Sequence, residues 1–471
     1  MADFNSVKEN LIGFTLSSVV KSSHDLLVAV ENAKDKTYPF WHVLVLLKWA
    51  YANCNDSAGL KEATIADIEN TVTVINNFHD GIKLVDFKKG IKSELKKIAF
   101  QQFWFQDHID EKVLFRAIVF FNHVKTKLDI DKEFKSASGL SIREFLNCTY
   151  LLYIYFHRDK IDKDVQFDGI LYPEDLNAIF AIAGEETFMN FLKLIVFFPM
   201  TDPTSLQRMN FEGYQLYETT LWNRYPLLMV RGQVILIHRS PLKSMIRNFL
   251  YDYLKKNSVR FRTEVGERME KYVEFGIIET NTRYLNEKQL EAKFTLQMVC
   301  DFLIEDDVLI ECKAIELSPT AGIRRTKEVL QNEFDTNATK AYKQLLSVAH
   351  NLKTRIEFGI VITYKETLLG YGEDSFQEFM REPIKAFTEL HKIDLSVLSP
   401  DRLVFITLED WDRLISLKKH TGQRVSEILT KGFQYFRDGK VMLFEQILDK
   451  LCEGIQLPSL TYLERARPTF A

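Results

Sequence analysis

Residues 301–313 read Asp-Phe-Leu-Ile-Glu-Asp-Asp-Val-Leu-Ile-Glu-Cys-Lys, and the sorting of their odd and even positions restricts what this chain can become. In a strand, successive side chains point to opposite faces, so residues two apart share a side. Cys300, Phe302, Ile304, Val308, Ile310 and Cys312 supply one apolar face suited to packing under helices. Asp301, Leu303, Glu305, Asp307, Leu309, Glu311 and Lys313 fall on the other. Asp306 alone breaks the sorting and falls at the expected turn, a three-residue loop over 305–307. Such a hairpin sets Asp301 opposite or diagonal to Glu311 and Lys313. A slip of one residue would turn Asp301 onto the apolar set, so burial of the even face opposes it.

Two carboxylates held side by side repel one another, and a hard divalent cation offsets that repulsion. Mg²⁺ accepts such oxygen ligands while keeping several waters, and Mn²⁺ is expected to substitute. Lys313, one alternation beyond Glu311, is spaced to orient or deprotonate an attacking water, or to stabilise charge developing on a phosphate. The chemistry expected here is phosphodiester hydrolysis.

Asp301, Glu311 and Lys313 together resemble the PD-(D/E)XK signature of the restriction-endonuclease-like nucleases. The resemblance covers roughly residues 259–411. Upstream, Glu264-Val-Gly-Glu-Arg-Met-Glu270 looks like the family's first helix, and the resemblance implies that Glu270 completes a metal site with Asp301 and Glu311. Downstream, Thr339-Lys340-Ala-Tyr-Lys343-Gln344 looks like the helix after the catalytic strand, which implies a catalytic role for Gln344. Residues 356–362 and 403–408 read as further core strands. No proline precedes Asp301, a departure from the full signature. Bland alternatives stand beside these readings: Glu267, Glu270 and Glu274 recur at helical spacing and suit a solvated face, and Gln344 suits the edge of a buried stripe.

Arg324, Arg325 and Lys327, with Lys340, Lys343, Lys353 and Arg355, follow the hairpin and are candidate phosphate contacts. Glu328, Glu333 and Asp335 are interspersed, as on an ordinary mixed surface. The net charge of −4 and pI near 6.3 give no global nucleic-acid signature, so any DNA contact must be a local patch. Five widely spaced cysteines do not suggest an extracellular disulfide framework, and Cys300 and Cys312 are expected as buried thiols. No basic segment followed by an apolar core opens the chain, and the apolar stretch 40–51 is too short to span a bilayer. A cytoplasmic protein without a membrane segment is expected. There is no Walker loop and no Gly-rich dinucleotide fingerprint, so nucleotide hydrolysis is unsupported.

With 471 residues, 46% of them hydrophobic, more than one core is expected. The reading is an α+β (or α/β) chain: a largely helical domain over 1–198, a linker with a small hairpin over 199–240, a nuclease-like mixed sheet flanked by helices over 241–411, and a C-terminal helical extension over 412–471. Helices are expected over 7–33, 39–53, 110–127 and 174–198, with Ser141 and Glu144 forming a capping box. Ser240-Pro241 is read as the N-cap and first turn of a helix reaching about 256. The implied function is a Mg²⁺-dependent DNA endonuclease whose helical domain senses a signal or binds a protein partner, similar to effector nucleases of phage defence or to DNA-processing enzymes, with oligomerisation possible in principle. A nuclease-like fold that only binds nucleic acid or protein, and an RNA-cleaving toxin, are the competing expectations.

Overall fold

The computed structural model describes residues 4–33, 39–81, 96, 98–100, 102, 111–160, 162, 165–198, 220–318, 321–322, 326–352, 354–439, 441 and 443–467. The chain is a mixed α+β protein that divides into two compact units, residues 1–114 with 130–257, and residues 115–129 with 258–471. The division falls at Ser258, so the helix Arg239–Asn257 belongs to the first unit and the C-terminal helices to the second. The hairpin expected in a linker is likewise part of the first unit.

In the first unit, helices surround a four-stranded sheet of order β1-β4-β3-β2: β1 (Ile170–Leu171), β2 (Val196–Phe197), β3 (Leu227–Val230) and β4 (Gln233–Leu236). Arg231 and Gly232, both at positive φ, make the two-residue turn that joins β3 to β4. The capping box is present: Ser141 Oγ accepts the Glu144 N–H, and Glu144 returns a carboxylate oxygen to the Ser141 N–H at 2.7 Å. Two long helices expected from periodicity are each broken in two, as Phe4–Ile12 with Leu16–Asn32 and as Pro173–Ala183 with Glu185–Ile195. Gly184, at φ 82°, makes the second break, where a residue with a Cβ would be strained. The Ser240 cap gives way to His238, whose Nδ1 accepts the Ser240 N–H at 3.1 Å. The apolar stretch after Pro39 is the helix Phe40–Asn53, buried over most of its length. Among the described residues no helix is long and apolar enough to cross a membrane.

The second unit carries a five-stranded sheet of order β5-β6-β7-β8-β9: β5 (Tyr284–Asn286), β6 (Phe302–Ile304), β7 (Val308–Cys312), β8 (Phe358–Thr363) and β9 (Leu403–Thr407). The first three strands are antiparallel, and β7, β8 and β9 run parallel. Parallel strands need a crossover, and the helix Lys340–Asn351 supplies the one from β7 to β8. Both faces of the sheet are covered, as the near-continuous apolar run of β8 requires. On one face, Leu303, Leu309, Val361 and Phe405 share a core with Ala341, Leu345 and Ala349 of that crossover helix. The helix Val259–Glu279 packs against Leu408–Thr421, and a Cβ at Gly276 would lie 2.6 Å from Trp411 Nε1, so only glycine permits this approach. The C-terminal helices pack on this unit itself: Glu305 of the β6–β7 loop accepts from Lys418 Nζ at 2.6 Å and from the Val425 N–H at 2.7 Å.

Candidate active site

The β6–β7 ladder pairs Phe302 with Ile310 and Ile304 with Val308, which leaves the three-residue loop Glu305, Asp306 and Asp307. Continued one step toward the open end, that register sets Asp301 across from Glu311. Asp301 Oδ2 accepts the Cys312 N–H at 2.6 Å, and this bond fixes the carboxylate at the mouth of the hairpin. An ordinary solvated hairpin would expose these acids. Instead Asp301 is 9% exposed and Glu311 1%, because Leu303 and Leu309 on the same face are packed under the crossover helix.

Burial of two adjacent carboxylates is electrostatically costly, and it shows in their acidity. Burial, then the charge of Glu311, pushes Asp301 up to about 8. Glu311 rises to about 7 through burial, against the opposing pull of Lys313, whose ammonium pairs with it directly. Glu270, half-buried on the helix Val259–Glu279, rises to about 7 through burial and then through Asp301. Three carboxylates from three elements therefore load one another. Lys313 rises in turn: burial opposes its charge, but Glu311 and Asp301 outweigh burial.

Among the described residues, no three His, Cys, Asp or Glu side chains converge closely enough to enclose a metal ion as they stand. The expected set Glu270, Asp301 and Glu311 lies within electrostatic reach of one another but does not close on a cation; Glu311 gives one oxygen to Lys313, and Asp301 gives one to the Cys312 N–H. The chemistry of the set still fits a divalent cation. Glu311 Oε2 is buried with no hydrogen-bond partner, and the surplus negative charge is of the kind that a +2 ion neutralises.

Gln344, on the crossover helix, donates from Nε2 to the Val299 carbonyl at 2.8 Å, which ties that helix to the approach to Asp301. Its Oε1 is a second buried acceptor without a partner. Lys340, one turn earlier, shares its face and is exposed. Lys343 is turned elsewhere, with Nζ 5.8 Å from the Phe387 ring centroid. Lys327 is exposed at the start of the helix Lys327–Phe334, whereas Arg324, Arg325 and Lys353 lie outside the described residues. Arg355 pairs with Glu357 at 3.1 Å. Among the described residues of the expected basic row, Lys327, Lys340 and Arg355 are exposed, Arg355 beside Glu357.

Sequence reasoning missed Glu287. It opens the helix Glu287–Lys293, and its charge raises Glu270, Asp301 and Glu311 alike. The signal was present: Asn286 and Gln289 form a capping box, with bonds of 3.1 and 2.9 Å, and this sets Glu287 in the first turn. Cys300 and Cys312 are buried free thiols, pushed well up by burial. A polar cavity of about 650 Å³ lies at the loop end of the hairpin, lined in part by Arg283, Glu305, Asp307, Lys418 and Arg424. Its charges pair among themselves, Lys418 with Glu305 and Arg424 with Asp307.

No family model, curated protein or solved structure matches this chain.

Proposed function

We propose that the second unit is a metal-dependent phosphodiesterase of the restriction-endonuclease-like, PD-(D/E)XK kind, acting on DNA. The observation that carries this reading is the buried pair Asp301 and Glu311, with the half-buried Lys313 beside Glu311, at one end of a hairpin, with Glu311 Oε2 lacking any donor. The order of elements supports it: a helix bearing Glu270, the hairpin, a crossover helix bearing Gln344, then two parallel strands. Glu270, Asp301 and Glu311 would hold the Mg²⁺ or Mn²⁺ ion. The ion, when bound, supplies positive charge to a phosphate oxygen and favours ionisation of water.

The remaining work falls to the chain's own groups. Lys313 holds its ammonium beside Glu311, where it can hydrogen-bond the attacking water or the phosphate. The N–H of Cys312 keeps Asp301 aimed at the mouth of the hairpin. Gln344 Oε1 offers an acceptor that orients a water or a sugar hydroxyl. Lys340, exposed on the same helix face, is suited to a backbone phosphate. The first unit, on this reading, senses a signal or binds a protein partner, as an effector in phage defence or DNA processing would require.

The test is cleavage of matched single-stranded DNA, duplex DNA and RNA in Mg²⁺ and in Mn²⁺. Metal-dependent scission of DNA in preference to RNA supports the proposal. Scission of RNA alone would make the chain a ribonuclease with the same site, and binding without turnover in either metal would make it a binding module.

A further inference from the structure

The helix that bears Glu270 is held on its opposite face by chain from far upstream. Residues 115–129 are the one stretch before Ser258 that belongs to the second unit. They complete the helix Lys112–Ile118, widen into the π-helical turn Val119–His123 and run on to Asp129. The helix Val259–Glu279 meets this strap along a single stripe. Phe261 stacks on Phe121 at 6.4 Å, Glu264 accepts the Leu128 N–H at 2.9 Å, and Lys271 Nζ donates to the Lys125 carbonyl at 2.8 Å.

The strongest ties flank Glu270. Arg268 donates from Nη1 to the Phe120 carbonyl at 2.8 Å and the Val124 carbonyl at 2.6 Å, and from Nη2 to Thr126 Oγ1 at 3.0 Å. Carbonyls at the end of a helix lack intrahelical donors, so a guanidinium there satisfies groups that would otherwise be orphaned. Tyr272 donates to Asp412 at 2.9 Å, and Asp412 also accepts from Arg116 Nε of the strap at 2.6 Å and from Tyr462 at 2.6 Å. Arg268, Tyr272 and Asp412 are all buried. Arg268 and Tyr272 lie one turn apart and share a face, whereas Glu270 is rotated about 200° from Arg268, so it faces away from the strap.

We propose that residues 115–129 are a positioning strap for Glu270. Held through Arg268 directly and through Tyr272 by way of Asp412, the helix cannot roll, and its free face presents Glu270 to Asp301. Arg268, Tyr272 and Arg116 are positioning residues, since none of them reaches the carboxylates. This inference rests on the assignment of Glu270 to a cation site, and its test separates the two.

Full-length protein and the variants Arg268→Met, Arg268→Lys and Tyr272→Phe are compared by amide hydrogen exchange over residues 259–279 without metal, and by calorimetric Mn²⁺ titration. Arg268→Met is expected to speed exchange around Glu270 and to weaken Mn²⁺ binding, each by about tenfold, the scale of a lost charge-assisted hydrogen bond. Arg268→Lys should recover most of both losses. Tyr272→Phe, which removes one hydroxyl and keeps the packing, should give about a threefold change in each, the lower end of a hydrogen bond's worth. Exchange and Mn²⁺ affinity within twofold of wild type in both Arg268→Met and Tyr272→Phe would overturn the strap. So would faster exchange spread evenly over the unit with Mn²⁺ affinity unchanged. Wild type that binds no Mn²⁺ would remove the cation assignment, and local exchange in the variants would still decide the strap.

Discussion

Replacing Asp301 with Asn should stabilise the protein at alkaline pH, in the absence of divalent metal, while leaving it little changed in acid. Asp301 lies at about 8 in the folded chain against an ordinary 3.8, because burial and Glu311 oppose its charge. Between those two values the folded state binds the extra proton, so stability is fully present below about pH 4 and falls as pH rises toward 8. Each tenfold change in acidity is about 1.4 kcal/mol, which gives a ceiling of roughly 6 kcal/mol for the fully ionised carboxylate. The effect is shared with Glu311 and Glu270 and does not add across them. Asn keeps an acceptor for the Cys312 N–H but forfeits the charge on it, an offset of about 1 kcal/mol. With about half of that ceiling assigned to Asp301 and the offset subtracted, a net gain of about 2 kcal/mol at pH 8.5 is expected, seen as a rise of roughly 4–8 °C in Tm for a unit of this size. The assay is thermal unfolding by circular dichroism in chelator at about pH 4 and pH 8.5, the ends of the interval over which the linkage acts. A variant that is less stable than wild type by the same amount at both pH values would refute the reasoning, since the carboxylate would then contribute contacts and no electrostatic load.

Lys313→Met removes the cation paired with Glu311 and leaves that carboxylate buried alone. Breaking such a pair costs about 3–5 kcal/mol. The loss should be full at pH 8 and should shrink at pH 5, where Glu311 takes up a proton, and urea unfolding at the two pH values measures it. In the first unit the sign reverses. Burial opposes the charge of Glu31, but His238 and Arg239 outweigh burial and hold its carboxyl at about 2. Its contribution is present above about pH 4.5 and is lost as pH falls toward 2. Glu31→Gln should therefore cost about 3 kcal/mol near neutrality and much less at pH 3, by denaturant titration. An equal cost at both pH values would assign Glu31 a packing role only.

Alternation made the hairpin legible because strand geometry has a period of two and burial penalises any slip. The three-residue loop, the inward residues Val265, Met269, Tyr272 and Val273, and the capping box at Ser141 follow from equally local rules. What escaped was set by tertiary contact. Arg268 stands between Glu267 and Glu270 in sequence, yet it is 2% exposed, with two carbonyls of a distant turn accepting from it. No periodicity in residues 115–129 announces that this segment leaves the first unit. Continuous apolar periodicity across residues 7–33 and 174–198 hid two helix breaks, one where Phe14 and Thr15 bridge to Lys61 and Asn55 and one made by Gly184. Lys343 lies beside Phe387 of another helix, a neighbour that its place in sequence does not show.

If Asp301, Glu311 and Lys313 form the proposed cation-dependent hydrolytic site, cleavage must need both the cation and Glu311. The most direct measurement is DNA cleavage by full-length wild type, Glu311→Gln and Lys313→Met, in Mn²⁺ and in chelator, with melting curves to establish that each variant is folded. Scission by wild type in Mn²⁺ only is expected, with a loss of at least about a hundredfold in folded Glu311→Gln, the usual scale for removing a group that stabilises transition-state charge. Cleavage by folded Glu311→Gln at the wild-type rate, or by wild type in chelator, would contradict it.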